Sequence, residues 1–300
     1  MNPLSTSAHP SSRLRRSVLS VPAGNVRALE KSGSLDCDAI IFDLEDSVAL
    51  EKKAEARDNL RRLFGQAPLV QETIIRINPL ASEFGQADMD LVLDLSPNAV
   101  LLPKVERISE IQAVADILSE GGVSDGLRIW AMIETPKGIL NAAALPEADE
   151  RLDCLVVGLN DLRKETGVLP QIGRAYLVPW LMQVVLAAKA HGLCVIDSVF
   201  NDFRDADNFD AECVQGRAMG FDGKMLIHPG QIEVSNRHFG PTPEAISEAE
   251  EIVAAFAQPE AQGQNVITMN GKMIERLHME QAEKLLYQAG IIAGRKKENP

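Results

Sequence analysis

Charged and polar residues recur in this chain where short apolar runs end. The run DAIIFDL carries Asp43 and is followed by Glu45 and Asp46. TIIRI holds Arg76, with Asn78 just beyond. NAVLLP leads to Lys104 and Glu106, LRIWAMI to Glu134 and Thr135, and LDCLVVG to Asn160 and Asp161. LCVID ends at Asp197 and Ser198, and DGKMLIH at His228 and Pro229. A solvated rim would also be polar, but here several carboxylates converge with few cations among them. Their mutual repulsion needs relief, which a divalent metal supplies. A thiol-free, oxygen-rich set selects Mg2+ or Mn2+ over zinc. Glu134 and Asp161 follow successive runs and can reach one ion, leaving positions for a bidentate 2-oxo acid. Arg76 from a neighbouring run can clamp that acid's carboxylate. Such a site stabilises an enolate while a C–C bond breaks or forms. Lys104, beside Glu106 in LPKVE, reads as an ion-paired rim lysine rather than a Schiff-base nucleophile. His228 reads as a satisfied structural histidine rather than a base.

The runs themselves say what positions these residues. Eight candidate strands begin at Ser17, Asp38, Thr73, Asn98, Leu127, Leu152, Leu193 and Asp222. They are continuous and apolar rather than alternating, as suits strands buried on both faces. Helical patterns lie between several of them: KKAEARDNLRRLF, ISEIQAVADILSEGG, GRAYLVPWLMQVVLAAKAHG and AECVQGRAMG. The proline in the third marks a helix start or a kink. Alternating β and α segments imply a parallel sheet with helical crossovers. Eight such units predict a closed (β/α)8 barrel, a TIM barrel, over residues 16–240, whose strand C-termini face the active site. A doubly wound open sheet is the alternative, but the first turn, VPAGN, is not GxGxxG. After about residue 241 the pattern changes. PTPEAISEAEEIVAAFAQ predicts a helix, AQGQNVITMNG a hairpin-like stretch, and KMIERLHMEQAEKLLYQAGIIAG a second helix. Residues 241–300 thus form a C-terminal helical extension, packing on its own barrel or covering a neighbour's. Residues 1–15 read as a disordered tail, with an organelle transit peptide as the other reading.

Composition narrows the partners. The 300 residues carry a net charge of −13, which argues against nucleic acid as the main partner. No apolar stretch approaches the roughly 20 residues that span a bilayer, so no membrane partner is expected. Cys37, Cys154, Cys194 and Cys213 include no CxxC pair and read as core residues of a protein in the reducing cytoplasm.

The blocks RSVLSVPAGNVRALEK, IIFDLEDSVALEKKAEAR, IIRIN, LLPKVE, MIETPKGILNAAAL, VVGLNDLRKETG, IDSVFNDFRDADNF and GFDGKMLIHPGQIEVSN stand in that order. Together they resemble the HpcH/HpaI aldolase and citrate lyase beta-subunit family, which includes the malyl-CoA lyases. The resemblance implies a (β/α)8 barrel, a homotrimer or hexamer, and Mg2+. It implies cleavage or formation of a 3-hydroxyacyl-CoA such as malyl-, citramalyl- or citryl-CoA, giving acetyl- or propionyl-CoA and a 2-oxo acid. Arg76 then resembles the substrate-carboxylate arginine, and Glu134 and Asp161 the two metal ligands, with Glu134 also beside the substrate. Lys31 resembles a contact to a CoA phosphate, with Arg27 as a possible helper. Asp43, Glu45 and Asp46 resemble an acidic cluster that orders water on the metal. The family's C-terminal helix opens with a GRLVD-like block whose aspartate reaches a neighbouring subunit's site as acid or base. The block here is NGKMIE, so the matching position is Glu275, one methylene longer. Ser20 and Asn25 stand where a malyl-CoA lyase shows an aromatic residue and an arginine. Alternatives are a citrate lyase beta subunit acting on a carrier-bound thioester, a malyl-CoA-type thioesterase, and a non-catalytic member.

Overall fold

The computed structural model describes residues 13–261 and 263–298. It divides into two compact units, one spanning Arg15–Phe239 and the other containing Gly240–Pro300.

In the first unit eight parallel strands close into a barrel in chain order. They are β1 (Ser17–Pro22), β2 (Ala39–Asp43), β3 (Glu72–Arg76), β4 (Ala99–Leu102), β5 (Arg128–Ile133), β6 (Leu152–Val157), β7 (Cys194–Asp197) and β8 (Gly223–Leu226). Closure comes from β1, which pairs with β2 through Val18 and Ala39 and with β8 through Ser17 and Lys224. Helices α1 (Val26–Ser32), α2 (Lys53–Phe64), α3 (Gly85–Leu95), α4 (Ile108–Glu120), α5 (Pro136–Asn141), α6 (Leu159–Thr166), α7 (Val178–Ala190), α8 (Ala206–Met219) and α9 (Ile232–Phe239) form the connections. The open-sheet alternative is thereby excluded.

The strand period of two splits the core. Ala39 and Ile41 face the lumen with Val18, Ile74, Leu101 and Trp130. Ile40 and Phe42 face the helices. Both faces are apolar because both are covered, which is why the strands read as unbroken apolar runs. Of the expected tail, residues 1–12 lie outside the described residues. Arg15 is buried: its guanidinium lies 4.7 Å from the Trp130 ring and pairs with Glu72 at 2.7 Å and with Asp153. It belongs to the barrel, because three partners from β3, β5 and β6 compensate its burial.

Local signals explain several element starts. Thr135 caps α5 by accepting from Gly138 N at 3.0 Å, with Pro136 opening the helix. Pro179 lies in the first turn of α7, so it marks a start and not a kink.

The second unit contains α10 (Pro243–Phe256), β9 (Val266–Met269), β10 (Lys272–Glu275) and α11 (Arg276–Glu298). Its own core includes Ile252, Phe256, Ile274 and Ala282. The strands pair antiparallel around Asn270 and Gly271, both at positive φ (51° and 74°). That Asn-Gly pair is the favoured two-residue hairpin turn. It corrects one expectation: Lys272–Glu275 do not open the last helix. They pair with Val266–Met269, and the helix begins only at Arg276. Among the described residues no helix is long and apolar enough to cross a membrane.

Candidate active site

The C-terminal ends of β2 to β5 bring Asp43, Glu45, Arg76, Lys104 and Glu134 into one connected cluster. Arg76, the last residue of β3, lies beside Asp43, the last of β2, in register. The guanidinium donates through Nε and Nη2 to the two Asp43 oxygens, both at 2.6 Å. This is a bidentate pair. Nη1 stands 3.2 Å from Glu45 Oε2 and 3.7 Å from Met132 Sδ. One edge of Arg76 is therefore committed to Asp43, and Nη1 is the nitrogen turned toward the lumen methionine. Burial works against the Arg76 charge, but Asp43, Glu45 and Glu134 raise its pKa, so it stays cationic. Burial pushes the Asp43 carboxyl up, yet Arg76 outweighs this and holds it below the usual carboxylate range.

Glu45 also accepts from Lys104 Nζ at 2.9 Å, and Asp46 Oδ2 lies 3.5 Å from the same ammonium. The rim-lysine expectation holds in kind, but the partners are Glu45 and Asp46. Glu106 pairs with Lys137 at 3.3 Å instead. Burial lowers the Lys104 pKa, but its carboxylate partners raise it further, which disfavours the free amine a Schiff base needs.

Glu134 follows β5 and is 2 % exposed. Its Oε1 accepts from Lys104 N at 2.9 Å. Burial pushes its pKa up to about 8, with Glu45 and Asp161 adding to the rise against the pull of Arg76. Asp161, half-buried in the first turn of α6, is the carboxylate from the β6 end whose charge acts on Glu134. Gly158, which precedes α6, packs on the Glu134 side chain. A Cβ there would stand 2.5 Å from Glu134 Oε2 and 2.6 Å from its Cβ. The start of α6 is held from β7 by Leu159 N donating to Ser198 Oγ at 3.0 Å, and by reciprocal amide bonds between Asn160 and Asn201.

The other expected residues lie elsewhere. Asp197 is fully buried and paired with Arg174 at 2.7 Å and Lys224 at 3.0 Å, so it braces the barrel. His228 accepts from Gly230 N at 3.1 Å and stacks on Phe203, as a structural histidine does. Lys31 is exposed at the end of α1. Glu275 is exposed in the second unit, its amide donating to His278 Nδ1 at 2.9 Å. The four cysteines are free, three buried and Cys194 half-buried.

Sequence reasoning missed three supports. One is Gly158, whose lack of a side chain admits Glu134. Another is the amide of Lys104. The third is Lys53, which donates to Leu44 O and Glu45 O at 2.7 Å and to Asn78 Oδ1 at 2.8 Å. Lys53 braces the acidic turn, yet in sequence it is one more lysine in a helical pattern.

Among the described residues no three Cys, His, Asp or Glu groups form a ready ligand cluster. What the chain offers is the Glu134 and Asp161 pair. The donor chemistry would fit Mg2+: both side chains offer oxygens, and this ion keeps several waters rather than demanding a full protein cage. Burial, with Glu45 and Asp161 nearby, raises the Glu134 pKa, and a cation bound there would favour its ionised form.

Residues 16–229 match the family HpcH/HpaI aldolase/citrate lyase, and the chain belongs to that family. It is 43% identical over 287 residues to a (3S)-malyl-CoA thioesterase of Cereibacter sphaeroides, covering 95% of this chain and 97% of the relative. It is 34% identical to the mitochondrial citramalyl-CoA lyase of Homo sapiens, covering 96% and 89%. Among solved structures it is similar to CitE from Mycobacterium tuberculosis in complex with magnesium, acetoacetate and coenzyme A. That match has a TM-score of 0.74 and 26% identity over 91% of this chain and 97% of the other.

Proposed function

We propose that this protein is a Mg2+-dependent carbon–carbon lyase that cleaves, or forms, a 3-hydroxyacyl-CoA. The observation that carries the reading is the joint placement of Arg76 Nη1, Glu134 and the start of α6 at one barrel mouth. Glu134 and Asp161 would hold the ion. When bound there, Mg2+ supplies a Lewis acid for the oxygen that becomes the oxo group. Arg76, held by two hydrogen bonds to Asp43, directs Nη1 to the substrate carboxylate. Lys104 holds Glu45 as an ion-paired carboxylate, leaving Asp46 solvent-facing as a group that orders water or carries a proton. Lys31 on α1 offers a positive charge to a CoA phosphate. Glu275, from a neighbouring subunit, takes the hydroxyl proton. The C2–C3 bond then breaks, its electrons pass to the thioester as an enolate, and protonation of C2 releases acetyl- or propionyl-CoA with the 2-oxo acid. This reading places the protein in the cytoplasm as a homotrimer or hexamer, with Mn2+ able to replace Mg2+.

A second reading has one specific support, the 43% identity to a protein named a thioesterase. In that case water attacks the thioester carbonyl, and free CoA and a hydroxy acid leave. One assay separates them. Malyl-, citramalyl-, β-methylmalyl- and citryl-CoA are incubated with the protein and Mg2+ or EDTA. Chromatography expects a 2-oxo acid and a shorter acyl-CoA. Free CoA without oxo acid establishes hydrolysis. Intact substrates with retained Mg2+ binding direct attention to a carrier-bound thioester and to Glu275→Asp.

A further inference from the structure

Lys104 adopts a backbone conformation that its side chain disfavours. Its φ is 50°, in the left-handed region that a residue with a Cβ visits at a cost. Only four described residues other than glycine share a positive φ. Two of them, Ser96 and Asn270, lie in a helix cap and a hairpin turn, where that conformation is ordinary.

At Lys104 the reason lies in the ladder. Leu102 of β4 pairs with Ala131 of β5, and Val105 N donates to Met132 O at 3.1 Å. In this parallel ladder an amide bonds the residue before its register partner, so Val105 stands level with Ile133. The chain advances three residues on one side against two on the other, and one extra residue bulges out at Pro103–Lys104. The left-handed turn points the Lys104 amide at Glu134 Oε1, 2.9 Å away. The side chain of the same residue runs to Glu45 Oε1 at 2.9 Å. One strained residue thus grips both buried carboxylates, the first by main chain and the second by its ammonium.

We infer that Lys104 is a positioning residue for the cation pair: its left-handed amide pins one oxygen of Glu134 so that the other is presented toward Asp161. The inference rests on Glu134 and Asp161 being the metal pair. What matters in it is the backbone angle at 104, not the charge of the side chain.

Three substitutions separate angle from charge, because each removes the ammonium while glycine, alanine and valine tolerate positive φ in falling order. Mg2+ affinity is measured by calorimetry on the full chain, with thermal melting recorded beside it. Lys104→Gly is expected to bind Mg2+ as tightly as the wild type or more so, since the amide stays and a nearby positive charge is gone. Lys104→Ala is expected to bind severalfold more weakly than Lys104→Gly, and Lys104→Val at least tenfold more weakly. Equal constants in all three variants overturn the inference and leave a purely electrostatic lysine. If Lys104→Val does not fold, the glycine and alanine constants decide the matter by the same criterion. A wild type that binds no Mg2+ refutes the metal pair itself, and this inference with it.

Discussion

A methyl group at position 158 should disturb the proposed Glu134–Asp161 cation site without replacing a charged residue. In Gly158→Ala the new Cβ would stand 2.5 Å from Glu134 Oε2 and 2.6 Å from Glu134 Cβ. Carbon atoms in contact sit at about 3.5–4.0 Å, so the shortfall is roughly 1 Å. The backbone at 158 (φ −112°, ψ 96°) is one that alanine adopts freely, so the cost comes from contact alone. Glu134 Cβ is tied to the end of β5, and the Lys104 amide holds Oε1, so little can yield except the position of the carboxylate or of α6. Overpacking of this kind costs about 1–3 kcal/mol. At about 2–4 °C per kcal/mol for a protein of this size, melting should fall by several degrees. A displacement of about 1 Å at a reacting group costs roughly 100-fold in rate. The assay pairs scanning calorimetry with Mg2+ titration and turnover of the acyl-CoA identified by product analysis. A Gly158→Ala protein with an unchanged melting temperature and Mg2+ affinity within twofold of wild type would refute the tight packing of Gly158 on Glu134.

Three further outcomes concern the buried cluster and the proposed acid–base residue. Glu134 ionises near pH 8 in the metal-free protein but in the ordinary carboxylate range when unfolded. Between those values the folded chain keeps a proton that the unfolded chain has lost, so stability should fall as pH rises from about 4.5 to 8 and then level off. Urea unfolding across that range in EDTA tests this, and saturating Mg2+ should flatten the slope. Asp43→Asn removes the carboxylate that holds two Arg76 nitrogens and should cost about 3–5 kcal/mol in denaturant unfolding. A loss under 1 kcal/mol would show that Glu45 alone suffices. Glu275→Gln, at an exposed position, should leave melting and Mg2+ affinity unchanged while turnover drops at least 100-fold. Wild-type turnover in that variant removes Glu275 from the mechanism.

The barrel was legible in the sequence because its strands are covered on both faces. Apolar runs such as AIIF and CLVV can then be read without knowing their neighbours, and their spacing announces a helix between each pair. The polar residues at the run ends were legible for a related reason: parallel closure puts every strand C-terminus on one rim, so Asp43, Arg76 and Glu134 had to approach one another. What the sequence could not state is which side chain faces which. Asp43 looked like one more acid for the metal, and only register with Arg76 makes it that arginine's clamp. Asp197 looked like a rim acid, and only the approach of Arg174 and Lys224 makes it part of the scaffold. Lys272–Glu275 continued a helical pattern, and a strand partner nearby outweighed that local preference. The close fit of Gly158 on Glu134 and the left-handed turn at Lys104 depend on ångström-scale distances between separate strands. Residue type and spacing determine which groups arrive at the rim; the packing of β4, β5 and α6 against one another decides what each of them holds.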